Sequence, residues 1–218
     1  MAARDGHQSA PPLKIPSMSD SRFIAVVGGS GSGKSWLAAR LRECLGDEAG
    51  HLSLDNFYAD LSHLPAAKRE AVNFDDPAAI DWEALRTVLE CLERGTTARI
   101  PIYDFATHTR KLETLDFTNV RVVVLEGLWL LHPEWLREKF ALSVFIDCPE
   151  EERLHRRIER DVILRGRTEE SVRHQFAIHV QPMHAMFVEV QRQFAHRRVT
   201  SPMTDIEHAE LIEACRGR

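Results

Sequence analysis

Eight consecutive residues constrain this chain more than anything else in it. Gly28-Gly29-Ser30-Gly31-Ser32-Gly33-Lys34-Ser35 fits the pattern G-x-x-x-x-G-K-[ST] in full. By composition alone such a match arises in about one chain in a hundred of this length. Here it follows a continuous apolar run, Phe23 to Val27, and precedes Trp36, Leu37, Leu41 and Leu45 at helical spacing, with Gly46 as a stop. A buried strand, a glycine loop and a helix in that order form the context of a phosphate-binding loop; the alternative is a flexible Gly/Ser turn. The glycines let backbone N–H groups surround phosphate oxygens. Lys34 brings a point charge to the β- and γ-phosphates, Ser35 offers a hydroxyl to Mg²⁺, and the helix presents its positive end. The motif gives nucleotide binding and leaves the reaction open.

Further short apolar runs follow. His51 to Leu54 reads as a strand ending at Asp55, Val120 to Leu125 as one ending in Glu126-Gly127, and Leu142 to Ile146 as one ending at Asp147. A weaker strand signal lies at His196 to Val199. Asp81 caps a helix carrying Trp82, Leu85, Val88, Leu89 and Leu92, with Gly95 past its end. Arg99 to Phe117 reads as extended, a hairpin projecting from the sheet. An Arg-rich helix starts near Glu150, and two more helices are expected over Glu169 to Val180 and from Pro182 towards Phe194. Strands alternating with helices predict an α/β fold with a parallel sheet, whose ligands bind outside the carboxyl ends of the strands. Residues 1–20, rich in Ala, Pro and Ser, read as a disordered leader. Residues 21–200 read as one domain, and 201–218 as a C-terminal tail, polar apart from a short amphipathic piece with Ile206, Leu211 and Ile212.

The chain of 218 residues has a net charge of −5 and a pI near 6.1, which disfavours a nucleic-acid or membrane surface. No apolar run is long enough to span a bilayer. Four scattered cysteines without a CxxC pair suit reduced thiols in the cytoplasm. Eleven histidines contain no H-E-x-x-H, which argues against zinc. There is no N-K-x-D, and Asp47 to Gly50, the D-x-x-G near a strand, precedes that strand, which argues against a GTPase. A small-molecule kinase remains.

Phosphoryl transfer needs a metal on the phosphate oxygens and a group that orients the attacking hydroxyl and accepts its proton. Glu126 is placed to serve the metal beside Ser35, and Asp55 to serve the hydroxyl. Each also reads as an ordinary cap or turn carboxylate. Asp147-Cys148-Pro149-Glu150 reads as a turn opening a helix. Arg153, Arg156, Arg157, Arg160, Arg165 and Arg167 admit two readings. One is a solvated helix face paired with Glu151, Glu152, Glu159 and Asp161. The other, favoured for Arg157, Arg160, Arg165 and Arg167, is a lid hinged at Gly166 that brings cations over the γ-phosphate.

Taken together, the motifs resemble the uridine kinase (uridine-cytidine kinase) family, from about Phe23 to Phe187. The resemblance rests on Gly28 to Ser35, Ser53-Leu54-Asp55-Asn56-Phe57-Tyr58, Asn73-Phe74-Asp75-Asp76-Pro77, Pro101 to Arg110, Leu125-Glu126-Gly127, and Arg156 to Asp161 followed by Arg165-Gly166-Arg167. It implies a five-stranded parallel P-loop core, a β-hairpin over the nucleoside, an arginine lid, and transfer from ATP with Mg²⁺ to the 5′-hydroxyl of uridine or cytidine in pyrimidine salvage. It implies that Asp55 is the base, that Tyr58, Phe74 and Asp75 surround the nucleoside with Asp75 on the ribose hydroxyls, and that Tyr103 and His108 touch the pyrimidine. Arg157 and Gln175 would sit near the nucleoside, and Arg160, Arg165 and Arg167 near the phosphates. It also implies a cytosolic homo-oligomer, commonly a tetramer. The chain departs from the family pattern at Asp76, where His is usual, at Trp36, where a small or β-branched residue is usual, and beyond Phe187. Kinases of nicotinamide riboside, pantothenate or phosphoribulose share the architecture. A nucleotide-binding regulator without turnover is the alternative of another class.

Overall fold

The computed structural model describes residues 21–118 and 120–216; the leader expected at 1–20 lies outside them. The element order places β1 (Arg22–Gly28), α1 (Lys34–Leu45) and β2 (Ala49–Ser53) first. Short α2 (Ala66–Glu70) and α3 (Trp82–Glu93) precede the hairpin strands β3 (Ala98–Asp104) and β4 (Thr109–Phe117). Then come β5 (Val122–Gly127), α4 (Glu134–Arg137), β6 (Phe140–Asp147) and α5 (Glu150–Arg165). After α6 (Glu169–Gln175) and α7 (Gln181–Met183), the chain ends in β7 (Arg197–Thr200) and α8 (Asp205–Arg216).

The main sheet has the order β2-β5-β1-β6-β7, and every pairing in it is parallel. Its inner strands are largely apolar because helices cover both faces. Alternation along β1 divides the core. Ile24 and Val26 join Leu37 and Leu41 of α1 and Leu211 and Cys215 of α8 on one side. Phe23, Ala25 and Val27 join Leu85, Leu89, Leu92 and Trp129 on the other. Each fully buried Leu, Val or Phe side chain contributes about 1.5–3 kcal/mol.

Several expectations are corrected. The helices expected over 169–180 and 182–194 run as one continuous helical stretch. Two π-helical segments, Phe176–Val180 and His184–Val188, flank α7, and a 3₁₀ segment closes the stretch at Glu189–Phe194. Pro182 sits inside it, in the first turn of α7. The polar tail expected beyond 200 contains α8, whose Leu211 and Cys215 are buried in the core. Trp36 does not share the buried face of Leu37 and Leu41 but is exposed. The hairpin expected over 99–117 is present as β3–β4, paired antiparallel and separate from the main sheet.

Candidate active site

The phosphate loop connects β1 to α1 at the carboxyl edge of the sheet. Its turn depends on two left-handed glycines, Gly31 at φ 83° and Gly33 at φ 92°. Gly31 also lies under α5, where a Cβ would stand 2.3 Å from the Arg153 carbonyl oxygen. The loop is therefore shaped as much by the helix packed over it as by its own sequence.

After β2 the chain turns through a 3₁₀ segment, Leu54–Phe57, that carries Asp55; the Asp55 N–H is held by Ser53 Oγ at 3.3 Å. Ser53 Oγ in turn donates to Glu126 Oε1 at 2.7 Å, fixing a carboxylate that is buried at the end of β5. Burial and the neighbouring Glu126 carboxylate push Asp55 above the usual carboxylate value, against the opposing charges of Lys34, Arg160 and Arg165.

A cavity of about 580 Å³ opens between the loop, the hairpin and α5. The expected residues Lys34, Asp55, Tyr58, Phe74, Asp75, Tyr103, His108, Arg157, Arg160, Arg165, Arg167 and Gln175 all line it. Ser30 is the loop serine on its wall. Gly28, Gly29, Gly31, Ser32, Gly33, Ser35 and Glu126 are not on its lining; Ser32 and Gly33 face a second cavity on the other side of the loop. Among the twelve are residues drawn from β2's turn, the loop before α3, the hairpin, α5 and α6, so the site exists only in the folded chain.

One side of the cavity is aromatic. Tyr58 makes ring contacts with Phe74, Tyr103 and Phe105, and Phe74 stacks on His108 at 4.3 Å between centroids. Tyr58 donates to the Phe74 carbonyl at 3.1 Å, and burial followed by Asp55 and Asp75 raises its phenol well above the ordinary value. Burial pushes Tyr103 to about 12, and its hydroxyl is buried without a hydrogen-bond partner among the described residues. Both phenols remain protonated donors. Burial lowers His108, which favours the neutral imidazole; its backbone holds φ 55° at the hairpin turn, and its Nδ1 also lacks a partner among the described residues. Flat rings and orphaned polar atoms suit a planar polar ligand.

The other side is cationic. Arg157 donates to Ser30 Oγ at 2.8 Å and to Gln175 Oε1 at 3.1 Å, and Arg167 also reaches Gln175 Oε1. Asp161 is fully buried and gathers Arg157 at 3.5 Å, Arg160 at 2.8 Å, Arg165 at 3.4 Å and Arg167 at 3.9 Å. Burial alone would raise this carboxyl; the hydrogen bond and charge of Arg160, with Arg165 and Arg157, outweigh it and hold it below the usual range. This corrects the solvated-face reading for Asp161 and Arg153, which are buried; Arg157, favoured for the lid, is buried as well. Gly166, at φ 62°, ends α5 between the arginines as expected.

Asp75 is raised by burial, with Arg157 opposing. Its neighbour Asp76 does not crowd it: the Asp76 carboxylate accepts from Ala78 N at 2.8 Å as a helix cap. Arg110 is a residue that sequence reasoning left without a role. It donates to the Tyr58 carbonyl at 2.9 Å, the Phe57 carbonyl at 3.2 Å and Asp81 Oδ2 at 2.9 Å, tying the hairpin to the Asp55 segment. The signal available was its place at the end of the Tyr103 to Arg110 motif.

Ser35 and Glu126 offer oxygen donors of the kind Mg²⁺ prefers, and among the described residues no group of three or more His, Cys, Asp or Glu side chains makes a cage. That donor set fits a cation held by one or two protein oxygens together with substrate phosphates.

The model of the phosphoribulokinase/uridine kinase family matches residues 23–206. A protein from Deinococcus deserti named uridine kinase is 41% identical over 194 residues, covering 86% of this chain and 94% of that protein. A Halobacterium salinarum protein of the same name is 37% identical over 183 residues, covering 84% and 80%. Among solved structures, that of a candidate fructose transport system kinase from Silicibacter sp. TM1040 superposes with a TM-score of 0.71 at 21% identity, covering 87% of this chain and 92% of that one. The last likeness concerns the fold alone.

Proposed function

Because this chain belongs to the phosphoribulokinase/uridine kinase family, we propose that it transfers the γ-phosphoryl of ATP to the 5′-hydroxyl of a pyrimidine ribonucleoside, uridine or cytidine, in pyrimidine salvage. The observation that carries the reading is the single cavity that joins Asp55, an aromatic wall and four arginines to Lys34 of the phosphate loop.

In this reading the nucleoside's base lies against the aromatic wall and meets Tyr103 and His108. Asp75 accepts hydrogen bonds from the ribose diol, a task suited to a carboxylate, while Arg157 and Gln175 close that side. Asp55 orients the 5′-hydroxyl and accepts its proton as the oxygen bonds to the γ-phosphorus. The bond from phosphorus to the β–γ bridging oxygen breaks, and ADP leaves. Lys34, Arg160, Arg165 and Arg167 neutralise charge on the transferring group. Mg²⁺, held by Ser35 and Glu126, would supply further charge neutralisation when bound. The same proposal places the protein in the cytoplasm as a homo-oligomer. Four free cysteines accord with a reducing compartment.

The test is Mg-ATP-dependent ADP release against uridine, cytidine, other ribonucleosides, nicotinamide riboside and pantothenate. Stimulation by uridine or cytidine, lost in Lys34→Ala, supports the reading. Silence with both alongside measurable ATP binding overturns it in favour of another acceptor or a regulator without turnover.

A further inference from the structure

The far side of the phosphate loop carries a side chain that the transfer reading leaves unused. Trp36, next after Ser35, is 64% exposed although it belongs to a helix packed on the core. It stands on the wall of the second cavity, of about 360 Å³, with Ser32, Gly33, Leu37, Pro202 and Met203. The acceptor cavity takes Ser30 and Lys34 from the same loop. The two cavities therefore approach the loop from different sides. Ser32 and Gly33 open onto the Trp36 cavity, so a nucleotide whose terminal phosphate faced Asp55 would have its remaining portion on that side.

The Trp36 ring has an aromatic neighbour in the C-terminal segment. His208 of α8 lies 6.1 Å away between ring centroids, at an interplanar angle of 35°. Helix α8 is itself anchored by the buried Leu211 and Cys215. Arg156, the charged side chain on this wall, is engaged by Ser201 Oγ at 2.9 Å and Glu152 at 2.8 Å. Apart from the Ser32 hydroxyl at the loop, which has no partner among the described residues, the wall offers an indole face and the aliphatic surfaces of Leu37, Ile146, Pro202 and Met203. Such a wall grips a flat base by its face, and it discriminates by ring area more than by the base's edge.

We propose that Trp36 is the platform on which the base of the phosphate donor stacks, and that the segment from Thr200 to Met203 completes that site. The proposal rests on the transfer reading for the occupant, a nucleoside triphosphate. It makes Trp36 a specificity-determining residue that favours purine over pyrimidine donors.

The experiment has two arms. In steady-state turnover with saturating uridine, Trp36→Ala raises the KM for Mg-ATP about tenfold, as loss of one stacked base would. Its kcat and its KM for uridine stay close to wild type, and Trp36→Phe restores most of the loss. An unchanged donor KM in Trp36→Ala overturns the proposal. The second arm needs no turnover. Mg-ADP quenches tryptophan emission in the wild type, inorganic tripolyphosphate does not, and Trp36→Phe abolishes the quench although Trp82, Trp129 and Trp135 remain. A quench that persists in Trp36→Phe also overturns it. Should every acceptor prove silent while the Trp36-dependent quench is present, the platform stands and the acceptor assignment falls.

Discussion

Arg157 Nη1 donates to Ser30 Oγ at 2.8 Å, across 127 residues of sequence. This bond joins the phosphate loop to α5 and to the Asp161 cluster. The loop and the helix that carries the arginines are thereby tied by a buried polar contact, which is stronger in a low-dielectric interior than it would be in water.

Asp55→Asn keeps the shape of the 3₁₀ turn and removes the proton acceptor. Turnover with uridine is expected to fall about 10²–10⁴-fold, the range for a lost general base, while Mg-ATP binding measured by calorimetry stays within a few-fold of wild type. The raised Asp55 value also sets a pH dependence. Protonation below that value removes the acceptor, so kcat/KM falls on the acid side at a pH above the usual carboxylate range and levels off as pH rises. Wild-type-like turnover in Asp55→Asn would remove the base assignment.

Tyr103→Phe separates binding from stability. The hydroxyl is buried without a partner among the described residues, and an unsatisfied buried polar group costs about 1–3 kcal/mol. The variant is therefore expected to melt at the same temperature as wild type or higher. Its KM for uridine rises about tenfold if that hydroxyl meets the nucleoside, with the KM for ATP unchanged. A lowered melting temperature with an unaltered uridine KM would assign Tyr103 to packing alone.

Asp161→Asn leaves four arginines without their shared counter-charge. Breaking a buried ion pair by removing one partner costs about 3–5 kcal/mol, and a loss of that order is expected in denaturant unfolding. Because the folded carboxyl lies below its ordinary value, its contribution is present above the unfolded value and lost as pH falls through the folded one. The stability difference between wild type and variant should therefore shrink on acidification. A difference that stays constant with pH would show that the cluster does not act through charge.

Gly31→Ala faces two obstacles at once, a left-handed φ of 83° and a Cβ 2.3 Å from the Arg153 carbonyl. The loop must shift away from α5 to admit the methyl group. Loss of Mg-ADP binding, read by calorimetry, is expected together with a drop of several degrees in melting temperature. Gly46→Ala, also at positive φ but with nothing near its Cβ, separates backbone strain from the clash and should leave nucleotide binding intact.

Much of this was determined by the sequence alone. The glycine loop, the buried strands around it and the order of the motifs depend on local pattern: continuous apolar runs require a sheet covered on both faces, and glycines are required where φ is positive. Asp55 and Glu126 were placed at strand ends by the same local logic. The tertiary structure decided the rest. No spacing says that Asp161 turns inward, because a helix of alternating charges reads equally well as a solvated face. No local signal says that Pro182 lies within a continuous helix, since packing of Val180 and Val188 overrides its usual effect. That Trp36 faces an open cavity, that residues beyond 200 build its wall, and that Arg157 reaches Ser30 are consequences of how α5 and α8 pack on the sheet. Contacts between residues far apart in sequence are set by that packing, and a one-dimensional pattern does not encode them locally.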